Sequence, residues 1–141
     1  MYNTNVYQEQ GGDRLVVKSG GTASLFEASI TVGAEATNAI PVTIQLQDAE
    51  GTALASRRSV FAYLSDDANG DSVAATAPDG NVAIGTDGVL IPVVTDKAFQ
   101  LTSEADGDID LSIGESGIDT WYLVVVLPDG RLTVSDAITF A

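Results

Sequence analysis

Apolar and polar side chains alternate with a period of two along short stretches of this chain, and glycine, aspartate, asparagine and proline punctuate them. In Ile40-Pro41-Val42-Thr43-Ile44-Gln45-Leu46-Gln47, Ile40, Val42, Ile44 and Leu46 fall on one face and Thr43, Gln45 and Gln47 on the other. Proline brings no amide hydrogen to a ladder, so Pro41 predicts that this strand starts at a sheet edge or in a bulge. The same period sets Val60, Ala62 and Leu64 opposite Phe61 and Tyr63 within Ser59 to Leu64, and it returns at Phe99 and Leu101 and at Ile109, Leu111 and Ile113. Ile118 to Leu127 is apolar on both faces near its end, which predicts an interior strand.

Shorter strands are expected at Ser72 to Thr76 and Val82 to Ile84, on either side of Pro78-Asp79-Gly80, and Thr86-Asp87-Gly88 should turn into Val89 to Val94. Pro128-Asp129-Gly130 should pass the chain through a hairpin into a final strand, Leu132 to Phe140. In both Pro-Asp-Gly turns proline fixes φ and glycine is expected to take the positive φ. The two turns share an alternating strand behind them, but one matching heptapeptide pair is turn chemistry rather than a repeat.

Turn signals every eight to twelve residues or so, with little helical periodicity between them, predict an all-β fold: a single β-sandwich or small β-barrel preceded by an extended N-terminal arm. The body is expected over residues 28–141 and the arm over residues 1–27. The arm is polar, yet Tyr2, Val6 and Tyr7 stand among its amides and glycines, and Leu15-Val16-Val17 forms a strand-prone trio between Arg14 and Lys18. Such a segment costs little to leave in water and supplies anchors and main-chain hydrogen bonds to a partner, so it reads as a docking arm that can add a strand to another chain's sheet edge.

Composition narrows the function. Among 141 residues there are 20 Asp and Glu against 6 Lys and Arg, a formal net charge of -14, with the acids scattered through turns. The six cations are too few and too dispersed to neutralise a phosphate backbone, so direct nucleic-acid binding is not expected. Cysteine is absent, which removes disulfides and thiolate metal sites. There is no basic segment followed by an apolar signal core, and the longest apolar run, Leu123 to Leu127, is strand-sized. No membrane partner is therefore expected; the chain should be made in a host cytoplasm and leave it by assembly into a particle.

The absence of histidine removes the commonest general base and every Ser-His nucleophile arrangement, so no catalytic residue, cofactor or enzymatic activity is expected. A carboxylate-based hydrolase would need paired acids in a cleft with one raised pKa. Asp67, Asn69 and Asp71 place oxygen ligands at alternate positions as a calcium loop does, and Asp106, Asp108 and Asp110 do so again. Both lack the glycine at the sixth position and the glutamate at the twelfth, so solvated turns that keep sheet edges apart are the favoured reading and no metal is expected. Trp121 and Tyr122 point to opposite faces, so at least one belongs to the core. Arg57-Arg58 is an isolated basic pair suited to an acidic neighbour or to a solvated strand edge.

The opening, Tyr2 to Asp13 followed by Leu15-Val16-Val17-Lys18-Ser19-Gly20-Gly21-Thr22, resembles the start of tailed-bacteriophage head decoration and head-fibre proteins. There a run of the form Y-x-x-x-x-Y-x-E-Q-G-G precedes V-V-x-S-G-G-T. The body, with Tyr63-Leu64-Ser65-Asp66-Asp67 and Trp121 to Gly130, is similar to the β-rich part of small phage virion proteins. The resemblance implies a non-enzymatic capsid decoration, or cement, protein on the outer surface of the virion, bound to the major capsid protein and associating as a homotrimer. On that reading Leu15, Val16 and Val17 would add as a strand to the capsid, Tyr2, Val6 and Tyr7 would anchor, and Arg14 and Lys18 would pair with capsid carboxylates. The alternative is an immunoglobulin-like carbohydrate- or receptor-binding module on a virion or cell surface.

Overall fold

The computed structural model describes residues 6–8, 11, 15–19 and 26–141, and of Leu15 and Val17 the backbone alone. Among these residues there are strands and turns and no helix. Two short strands, β1 (Val6–Gln8) and β2 (Leu15–Val17), pair antiparallel with Tyr7 opposite Val16. Ten further strands follow: β3 (Glu27–Val32), β4 (Ala39–Gln47), β5 (Ser59–Ser65), β6 (Val82–Ile84), β7 (Val89–Val94), β8 (Ala98–Thr102), β9 (Asp108–Gly114), β10 (Thr120–Val126), β11 (Leu132–Val134) and β12 (Ile138–Thr139).

They form a β-sandwich. Sheet I has the order β3-β4-β9-β6; sheet II has the order β11-β10-β5-β8-β7, with β12 pairing β10 beside β11, and all pairs are antiparallel. The alternation of the sequence fills the space between the sheets. Ile40, Val42, Ile44 and Leu46 from β4 and Ile109, Leu111 and Ile113 from β9 meet Val60, Ala62 and Leu64 from β5, Phe99 and Leu101 from β8 and Trp121, Leu123 and Val125 from β10, all buried. Trp121 is the core member of the Trp121-Tyr122 pair, and Phe140 meets its ring edge-on at a centroid distance of 6.1 Å.

Four expectations need correction. Strand β4 is interior, not an edge, because β3 and β9 flank it. Pro41 is tolerated there because β3 ends at Val32: the Gly33 amide donates to the Pro41 carbonyl at 2.8 Å, and Pro41 returns no amide hydrogen past the end of that ladder. Ser72 to Thr76 is not a strand. Its Ala74 amide donates to the Leu64 carbonyl at 2.7 Å, an isolated bond with no ladder around it, and the segment is a loop over sheet II.

The final strand is divided at Ser135, whose hydroxyl accepts the Leu123 amide at 2.9 Å in place of a backbone partner. The two Pro-Asp-Gly turns also differ. Gly130 takes the positive φ of +86°, but in the earlier turn the left-handed residue is Asn81, at +69°. Gly80 serves another purpose: a Cβ there would lie 2.7 Å from the Gly114 carbonyl carbon, so the two glycines let turn and strand touch backbone to backbone.

Candidate functional site

The two outer faces of the sandwich differ in charge. On sheet II the outward side chains are Val89 and Ile91 on β7, Ala98, Gln100 and Thr102 on β8, Ser59, Phe61, Tyr63 and Ser65 on β5, Thr120, Tyr122, Val124 and Val126 on β10, and Leu132 and Val134 on β11. None is charged. One cross-strand row spans the whole face: Ile91 pairs Gln100, Gln100 pairs Phe61, Phe61 pairs Val126 and Val126 pairs Leu132. Its two ends are open to solvent, Ile91 being 58% and Leu132 45% exposed, and Val93 beside them on β7 is 62% exposed. The row is apolar but for Gln100 and carries no charge, in a chain whose net charge is -14.

The far end of this face is covered by the chain itself. Residues 66–75 fold over it, and a Cβ on Gly70 would come within 2.8 Å of Val124 Cγ2 and 3.3 Å of Val134 Cγ2, so bare backbone seals the buried Val124. The loop is pinned by the Tyr63 hydroxyl, which donates to the Gly70 carbonyl at 2.6 Å, and by Lys97 Nζ, which donates to the Ala75 carbonyl at 3.1 Å. Burial, and then the Asp71 carboxylate, raise the Tyr63 phenol above its usual value. Phe61 and Tyr63 lie 6.2 Å apart but are tilted by 42°, which is not the coplanar platform of a sugar-binding site.

Sheet I turns carboxylates outward. Asp108 and Asp110 alternate on β9, and the turn after β6 brings Asp87 to them, so that oxygens of the three carboxylates lie within 4.8 Å of one another. Asp110 accepts hydrogen bonds from Thr43 Oγ1 at 2.8 Å and from Thr86 Oγ1, while its amide donates to the Asp87 carbonyl at 2.8 Å. Asp108 Oδ1 is buried without a hydrogen-bond partner among the described residues. Burial first, then the charges of Asp110, Asp106 and Asp87, push the Asp108 carboxyl up, against a smaller opposing effect of the Ile109 amide. The spacing of Asp106, Asp108 and Asp110 pointed to this corner, but Asp87 arrives only through tertiary folding.

The other acidic candidates are used locally. Asp67 Oδ1 accepts the Asn69 amide at 2.8 Å and the Asp67 carbonyl accepts the Gly70 amide at 2.9 Å, an Asx turn that shapes the loop. Asp71 bears instead on the Tyr63 phenol. An open recess of about 570 Å³ is lined by Ala53, Leu54, Ala55, Asp87, Glu104, Ala105 and Asp106. Arg57 Nη2 donates to Glu104 Oε2 at 2.6 Å, so the basic pair's acidic neighbour is within the chain. Asp108, the acid with a raised pKa, does not line the recess.

Of the arm residues, Val6, Tyr7, Val16 and Lys18 are described with their side chains, Leu15 and Val17 by backbone, and Tyr2 and Arg14 lie outside the described residues. Val6 to Gln8 occupies one edge of Leu15 to Val17, so strand addition to a partner would use the other edge. Lys18 Nζ sits 5.3 Å from the centroid of the Tyr7 ring, a cation–π contact across the hairpin. The chain enters the body at Phe26, whose carbonyl accepts from Arg131 Nη2 at 3.5 Å; Arg131 also bridges Glu27 at 3.1 Å and Asp129 at 2.6 Å. The contacts of Arg131 with Phe26 and Glu27 were not expected from the sequence, where nothing links positions a hundred residues apart.

No protein-family model matches the sequence, and a search among curated proteins returns no match.

Proposed function

We propose that this chain is a non-enzymatic structural protein that decorates the outer surface of a bacteriophage head, where its N-terminal segment docks to the major capsid protein and the sandwich is displayed on the virion. The observation that carries this reading is the hairpin of β1 and β2. A ladder of three pairs contributes little stability by itself, so its pairing, its valines and its Lys18-Tyr7 contact make sense as a preformed attachment element that a partner surface completes. The sorting of charge supports the same reading. Acids on sheet I suit a surface turned to solvent, and the resemblance of the opening residues supplies the kind of partner.

Removal of residues 1–18 tests it. The full chain should co-sediment saturably with phage heads that lack it, and the truncated chain should stay in the supernatant with an unchanged melting temperature. Saturation of the heads by the truncated chain would overturn the assignment of the arm.

A further inference from the structure

We infer that the uncharged outer face of sheet II is a self-association surface, on which a second copy of this chain docks face to face to form a reversible dimer. The inference goes beyond head attachment and does not depend on it, since it concerns the body alone.

Charge selects the occupant. A partner drawn by electrostatics to a chain of net charge -14 would dock on the carboxylates of sheet I. The row from Ile91 to Leu132 offers no charge to steer or pair with, so it matches a surface that is equally uncharged, apolar and dotted with short polar groups. The same face on a second copy meets that description by identity, as a two-fold contact requires. It also lets two acidic bodies approach with their carboxylate-bearing sheets turned away from each other.

The contact uses the face and not the edge. Strand β7 ends sheet II, but Pro92 brings no amide hydrogen and the register slips between Pro92 and Val94, which interrupts the ladder another strand would need. A self-complementary face closes at two copies, whereas the trimer implied by the resemblance would need two different surfaces in each contact. Size sets the strength. Five strands about 4.8 Å apart and about 20 Å long give a projected face of about 400 Å², and the loop of residues 66–75 takes one end of it. The open part of the face is thus at most about half the roughly 800 Å² per partner of a standard stable interface, so the dimer is weak and reversible.

Sedimentation equilibrium of the purified full chain from about 5 to about 500 µM tests this, at about 10 mM and about 1 M salt, where the Debye length falls from about 30 Å to about 3 Å. The weight-average mass should rise from monomer to dimer with concentration, and association should strengthen with salt as repulsion between the acidic bodies is screened. Ile91→Asp puts a charge into the contact at an exposed position and should weaken association at least tenfold. Ile118→Asp, at a residue 84% exposed and off this face, should behave as the parent. A monomer throughout, convergence on a trimer, or equal association of the Ile91→Asp chain would each overturn the inference.

Discussion

The hydroxyl of Tyr63 donates to the carbonyl of Gly70 at 2.6 Å, one of the bonds that hold residues 66–75 over one end of sheet II. Tyr63 projects from the outer face of β5, and Gly70, at a φ of +73°, brings the loop backbone down onto Val124. Beyond this point the face is closed by the chain; before it, the row through Phe61 is bare.

Tyr63→Phe keeps the ring and removes the donor, leaving the Gly70 carbonyl without it. The loss should be about 1 kcal/mol, read as a fall in melting temperature of about 2–4 °C for a chain of this size. Faster amide exchange in residues 66–75 should accompany it. An unchanged loop would mean that Lys97 and Ala74 hold it without Tyr63.

Glycine substitutions should separate the two Pro-Asp-Gly turns. Gly114→Ala places a methyl 2.6 Å from the Gly80 carbonyl oxygen, where backbone must move, and should cost about 1–3 kcal/mol. Gly130→Ala meets open space and should cost only the left-handed φ, about 1–2 kcal/mol. Asn81→Gly relieves the same strain and should be close to neutral, although its sequence neighbour is already glycine. Urea denaturation of the three variants orders them.

Protonation acts with opposite signs at different carboxyls. The Asp108 carboxyl is raised, so the folded state holds its proton more tightly than the unfolded chain does. Its ionised form therefore detracts from stability at neutral pH. The penalty is relieved as pH falls through the folded value, and it vanishes below the ordinary carboxylate range, where both states are protonated. Asp79 is lowered by the Ser116 hydroxyl and then the Ser116 amide, and Asp129 by its hydrogen bond from Arg131. Their stabilisation is present above the ordinary range and is lost as pH falls through their folded values. Asp108→Asn should thus raise the melting temperature at pH 7 by about 1–3 °C and give no gain near pH 3. A lower melting temperature at pH 7 would mean that the carboxylate has a favourable partner.

The sandwich was legible because burial of one face imposes a period of two, which β4 and β9 carry without interruption, while β10 is apolar on both faces as an interior strand is. What depended on contacts distant in sequence was not. Pro41 was misplaced because its tolerance depends on where β3 stops. Ser72 to Thr76, apolar at Val73 to Ala75, has no strand to pair with, and Asn81 takes the left-handed turn position because Gly80 is needed against Gly114. The charge-free face is written in the sequence residue by residue. It becomes one surface only when the register aligns Ile91, Gln100, Phe61, Val126 and Leu132. At the arm, the residue types singled out Leu15-Val16-Val17, while the pairing with Val6 to Gln8 needed the fold.

Amide hydrogen exchange on the full chain, free and bound to phage heads, addresses the proposed role most directly. Attachment through the N-terminal hairpin should slow exchange at Val6–Gln8 and Leu15–Val17 on binding while the strands of sheet I exchange as in the free protein. Binding that protects sheet I and leaves those six residues unchanged would contradict it.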